Sequence, residues 1–253
     1  MYRLLLQSRC IVLLMSFLML FGSCEFKETI VFDEDGGGKV ASSFFGEQLG
    51  DIIESLKEDS SEIEWEEFSM QEFIEQNKES IDSLSPKQQK EIYDLADSKI
   101  TMQNKDGDLY IHVAMDFESV DDINKKIVDS RRAIGYWLNE SPFPSEDEET
   151  NKNASLEDEL DIRYSWKDNV FERKTYIKDR EKYAEAIKEM ENGMLFGGAL
   201  DYVLEYTFPY EVEAVVPETA TLSLDRKTVS LRSSLSKILK NPNELDLKIT
   251  FKK

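Results

Sequence analysis

The chain has 253 residues, with 31 lysines and arginines against 52 aspartates and glutamates, for a formal net charge of -21. A body this acidic repels nucleic-acid phosphates and anionic headgroups, so nucleic acid is excluded as an expected partner. Two cysteines and one histidine, His112, leave little for metal or nucleophile chemistry. Thiolate and histidine-rich zinc sites are therefore set aside. No Gly-x-Ser-x-Gly elbow accompanies His112, and no glycine-rich phosphate loop is present, so the expectation is a chain without a cofactor.

In chain order, residues 1–23 come first. Arg3 and Arg9 are the charged side chains of this stretch, and an apolar run from Cys10 to Gly22 is broken by Ser16. At roughly 13 residues the run suits a signal-peptide core and falls short of a bilayer span. The exit, Leu20-Phe21-Gly22-Ser23-Cys24, resembles the lipobox of bacterial lipoproteins, in which small residues precede a cysteine that receives a diacylglyceryl group; Phe21 stands where Leu is usual. The resemblance implies a signal peptide over 1–23 and lipidation of Cys24. Two or three acyl chains on one residue anchor stably, whereas one is marginal. Cys10 leaves with the signal and the charge of the remaining part becomes more negative still.

Beyond Cys24, Glu28 to Phe32 and Lys39 to Phe45 flank Asp33-Glu34-Asp35-Gly36-Gly37-Gly38, which predicts a hairpin. Leu49, Ile52, Ile53 and Leu56 fall at helical spacing, and the acidic patch Glu58 to Glu67 contains Trp65. Ser69 is placed to cap a short helix carrying Phe73 and Ile74. Ser85-Pro86-Lys87-Gln88 has the form of a capping box, with Ile92, Leu95 and Ala96 on the buried face. A second hairpin runs from Lys99 to Gln103 and Asp108 to Phe117. Its second arm alternates, with Leu109, Ile111, Val113, Met115 and Phe117 on one face and Tyr110, His112, Ala114 and Asp116 on the other. Ser119 is placed to open a helix to about Leu138, with Ile123, Ile127, Ile134 and Leu138 on one side.

Glu140 to Glu159 is acidic and nearly free of apolar residues, and reads as an insertion or linker. Ile162 to Trp166 and Val170 to Ile177 predict a third hairpin, followed by a helix from Arg180 to Glu191 that Gly193 ends. Ala199 to Phe208 predicts a strand closed by Pro209, with Glu211 to Val216 and Thr219 to Leu224 as its candidate partners. Thr228 to Leu231, a helix Leu235 to Leu239 and a strand Leu245 to Phe251 complete the chain. The expected class is α+β, a mostly antiparallel sheet built from hairpins with interspersed helices. The expected organisation is a signal peptide over 1–23, an N-terminal half over 24–139, an acidic insertion over 140–160, and a C-terminal half or second subdomain over 161–253.

Sharper chemistry competes with plainer readings at several places. Asp33 and Asp35, and Asn104, Asp106 and Asp108, sit in glycine-bearing loops that are too short for a calcium-binding helix–loop–helix, so hairpin turns are expected there. His112 reads as a half-exposed strand residue. The glycine-rich stretch Gly193 to Gly198 reads as a helix stop, or as an apolar loop near a ligand. Tyr202, Tyr206, Phe208 and Tyr210 alternate on one strand face and read as core rather than as a binding platform. Asp82-Ser83-Leu84 matches a short pattern used for O-glycosylation in Bacteroidetes-type bacteria, which makes Ser83 a candidate.

The lipid cysteine, Glu28-Thr29-Ile30-Val31-Phe32 with Asp35-Gly36-Gly37-Gly38, and the later Tyr206-Thr207-Phe208-Pro209 and Asp225-Arg226-Lys227-Thr228-Val229 together resemble uncharacterised lipoproteins of Bacteroidetes-type bacteria. A fainter similarity reaches the mycobacterial LppM-type lipoprotein domain, through the strand–Asp-Gly–strand hairpin after the cysteine and the Phe-Pro element. The resemblance implies an envelope α+β module and transfers no catalytic residue. The expectation is a non-enzymatic lipoprotein, anchored in the cell envelope through lipid on Cys24, with the outer membrane as the first choice of location and a protein or apolar ligand as a possible partner. The alternative is a carboxylate-based hydrolase of envelope polymers, which requires two acids facing each other across a groove.

Overall fold

The structure, a computed structural model, describes residues 24–47, 66–138, 159–193 and 200–252. The expected signal peptide, the Leu49 to Leu56 helix, nearly all of the acidic patch and of the acidic insertion, and the stretch after Gly193 lie outside the described residues.

β1 (Cys24–Phe32) and β2 (Gly38–Gly46) form the first hairpin, in register from Cys24 opposite Gly46 to Phe32 opposite Gly38. Its turn is closed by the backbone: the Asp33 N–H donates to the Gly37 carbonyl at 2.9 Å and the Gly36 N–H to the Asp33 carbonyl at 3.2 Å. Gly38 has φ +151, and a Cβ there would lie 1.9 Å from the Val31 carbonyl oxygen, so the hairpin requires glycine at that position. β3 (Glu66–Ser69) leads into α1 (Met70–Gln76), α2 (Lys78–Asp82) and α3 (Pro86–Tyr93). Both α1 and α3 carry full capping boxes, through Ser69 with Glu72 and Ser85 with Gln88.

β4 (Lys99–Lys105) and β5 (Asp108–Phe117) form the second hairpin. The alternation along β5 holds: Leu109, Ile111, Val113, Met115 and Phe117 are buried and the intervening residues are not. α4 (Val120–Leu138) follows, with Ile123, Ile127 and Ile134 buried. β6 (Leu160–Lys167) and β7 (Val170–Ile177) make the third hairpin and α5 (Arg180–Gly193) follows them. The chain ends with β8 (Leu200–Thr207), β9 (Val212–Val216), β10 (Thr221–Leu222), β11 (Thr228–Ser234), α6 (Leu235–Lys240), a 3-10 turn (Pro242–Leu245) and β12 (Leu247–Phe251).

The class is α+β with mostly antiparallel sheets built from hairpins. One sheet has eight strands in the order β10-β11-β8-β1-β2-β5-β4-β3, and the other four in the order β6-β7-β12-β9. β8 lies parallel to β1, from Leu200 beside Cys24 to Thr207 beside Val31. Strands from both halves of the sequence thereby share the larger sheet.

One pairing expectation is corrected. Glu211 to Val216 does not pair with β8, because β1 and β11 occupy the two edges of that strand. The segment turns at Pro209 and β9 pairs with β12 in the smaller sheet instead. Thr219 to Leu224 does not pair with β8 either; its strand, β10, pairs with β11.

The inward faces of the two sheets meet in an aromatic core. Phe32 of the larger sheet packs edge-on against Trp166 and Phe171 of the smaller and stacks on Phe208 at 5.2 Å, while Trp166 stacks on Phe251 at 4.9 Å. Over the rest of the larger sheet, α4 covers β2 and β5, and Met70, Ile74, Ile81, Ile92 and Leu95 of the helical segment join the same core. Glu28 sits where the smaller sheet and α4 adjoin.

Candidate functional site

Successive strand residues face opposite ways, so Phe26, Glu28, Ile30 and Phe32 of β1 share the inward face. Glu28 is therefore carried into the core and is 0% exposed. Arg131 follows Ile127 by one helical turn on the buried face of α4. Arg173 lies between inward Phe171 and Thr175 on β7 and is 2% exposed. Tyr164 comes from β6, and Tyr202 and Tyr206 from β8. Three strands of two sheets and one helix thus send polar groups to the Glu28 carboxylate.

The geometry is dense. Oε1 accepts from the Tyr164 hydroxyl at 2.6 Å and from the Tyr206 hydroxyl. Oε2 accepts from Arg131 Nη2 and, at 3.4 Å, from the Tyr202 hydroxyl. Arg173 Nε stands 3.7 Å from Oε1, an ion-pair separation rather than a hydrogen bond, while its Nη1 donates to the Leu245 carbonyl at 3.0 Å and to Thr175 Oγ1 at 3.3 Å. The guanidinium of Arg131 also lies 5.6 Å from the centre of the Tyr202 ring, and that of Arg173 5.9 Å from the centre of the Tyr164 ring.

Burial alone raises a carboxyl pKa. Here the charges of Arg131 and Arg173 and the hydroxyls of Tyr164 and Tyr206 outweigh it and bring Glu28 down to about 2. Burial and the neighbouring carboxylate push the phenols of Tyr164 and Tyr206 above the ordinary tyrosine range. At neutral pH the cluster is thus an ionised carboxylate among two guanidiniums and neutral phenols. Glu28 itself has no proton to give near pH 7 and is 0% exposed. The cluster can clamp the two sheets and α4 in one arrangement, and that is the chemistry it supports.

Motif reading takes Glu28 only as the first residue of a strand motif and passes over Arg131, Arg173 and Tyr164. The available signal was parity: each charged residue sits at a position whose neighbours two, three or four residues away are core.

The residues expected to carry sharper chemistry lie elsewhere and apart. Cys24 opens β1 with its thiol buried, and burial together with Glu47 raises that thiol's pKa. His112 Nδ1 and Ser43 Oγ are 2.8 Å apart on directly paired strand residues, and partial burial keeps the imidazole below its ordinary pKa. Their backbones belong to interior strands of the larger sheet, whose ladders engage the N–H groups an oxyanion hole would need. Ser83 is exposed at the end of α2, with its hydroxyl donating to the Ser80 carbonyl at 2.6 Å. The two candidate calcium loops are strand turns, the second with Asp106 at φ +55 and Gly107 at φ +85, and no group of three or more metal-binding side chains is assembled among the described residues. Tyr206 and Phe208 are core; Tyr210 is about half exposed and packs edge-on against Trp166.

A groove of about 630 Å³ opens at the end of the smaller sheet, between Val216 and Pro217 on one side and the 3-10 turn on the other. Its carboxylates are engaged within the protein. Asp246 accepts from the Thr175 N–H at 2.8 Å and from Asn243 at 3.0 Å, Glu172 pairs with Lys174 at 3.3 Å, and Glu244 accepts from Ser233 at 3.3 Å.

No protein-family model matches this chain, and no curated protein sequence does. Among solved structures, the folded domain of Mycobacterium tuberculosis LppM, determined by NMR, is similar over 91% of this chain and 90% of that one, at 7% identity and a TM-score of 0.40. That similarity is too low to transfer fold detail or activity.

Proposed function

We propose that this chain is an envelope lipoprotein, held at a membrane by lipid on Cys24, whose body is a non-catalytic binding or assembly module. The observation that carries the reading is the place of Cys24. It follows Leu20-Phe21-Gly22-Ser23 in the sequence and is also the first residue of β1, an interior strand of the larger sheet. A lipoprotein peptidase cutting before Cys24 would leave the whole of β1 in the mature chain. The non-catalytic part is supported by the Glu28 cluster, where the strongly perturbed carboxylate is 0% exposed and held by Arg131, Tyr164 and Tyr206 instead of facing a cleft. Among the described residues no helix is long and apolar enough to cross a membrane, so a lipid would supply the hold.

The hydrolase alternative would have to work in the groove beside Asp246, Glu172 and Glu244. The binding reading is preferred because each of those carboxylates has a partner inside the protein. Fractionation of cells expressing Cys24→Ser tests the tether. The wild-type chain is expected in the membrane fraction with incorporated fatty acid, and the variant without label, either soluble or as an uncleaved precursor. A wild-type chain that takes up no fatty acid contradicts the reading.

A further inference from the structure

We draw no further inference here: the strongest candidate, the patch of Phe45, Tyr110 and His112 beside Ser43, Thr101 and Gln103 on the outward face of the larger sheet, carries none, because nothing in the structure shows what covers it.

Discussion

Replacing Glu28 by Gln keeps the shape of the side chain and removes the carboxylate that Arg131 and Arg173 share. Two buried guanidiniums then lose their counter-charge, and breaking a buried ion pair from one side typically costs about 3–5 kcal/mol. Urea unfolding of Glu28→Gln is expected to show a loss of that size, and a loss below about 1 kcal/mol would show that the cluster is not a clamp. The pH dependence follows from the sign of the shift. Glu28 titrates near 2 in the folded chain, below the ordinary value of 4.5, so the unfolded chain binds its proton first as pH falls. The stability it contributes is fully present above about pH 4.5 and is lost progressively down to about pH 2. The wild type should lose this contribution on acidification, and Glu28→Gln should lack that part of the decline. Gly38→Ala is expected to destabilise by more than about 2 kcal/mol in thermal melts, because its Cβ would meet the Val31 carbonyl oxygen; an unchanged melt would contradict the turn geometry. At this scale the proposal for Cys24 rests on small residues and an apolar run. Glu28 was legible only as a parity exception, since strand propensity draws attention to Ile30, Val31 and Phe32 and passes over an acid on the same face.

Elements read well where their signals are local. Ser69 and Ser85 cap as their capping-box partners require, the first two hairpins form where acids and glycines interrupt β-prone runs, and the third turns at Asp168-Asn169. Ser85→Ala is expected to cost about 1 kcal/mol in urea unfolding; no measurable loss would place the stability of α3 entirely in its packing through Ile92. Pairings set by distant residues were not legible. Nothing in residues 200–207 announces a parallel partner at Cys24, because parallel pairing is decided by which apolar faces meet across the core and not by a turn. The move of β9 to the smaller sheet has the same origin. There Arg226 donates to the carbonyls of Val212 at 2.8 Å and Glu213 at 2.9 Å, which covers the start of an otherwise open sheet edge. Arg226→Ala should raise amide exchange within β9 several-fold while leaving β8 unchanged; equal effects on both strands would show global destabilisation instead.

For the whole molecule, composition bears on the class of partner more than the fold does. A net charge of -21 argues against nucleic acid and against adsorption to anionic lipid, so residence at a membrane requires a covalent hold. The union of the two halves of the sequence in one eight-stranded sheet could not be read from either half alone. It places Cys24 on an interior strand of that sheet, so the proposed anchor and the core belong to one strand. The central claim is accordingly about Cys24, and the most direct test is intact mass and N-terminal sequencing of the protein isolated from its native membrane. The account predicts a chain beginning at Cys24 and carrying the added mass of two or three acyl groups on that residue. A chain that begins at any other residue, or begins at Cys24 without acyl mass, would contradict it.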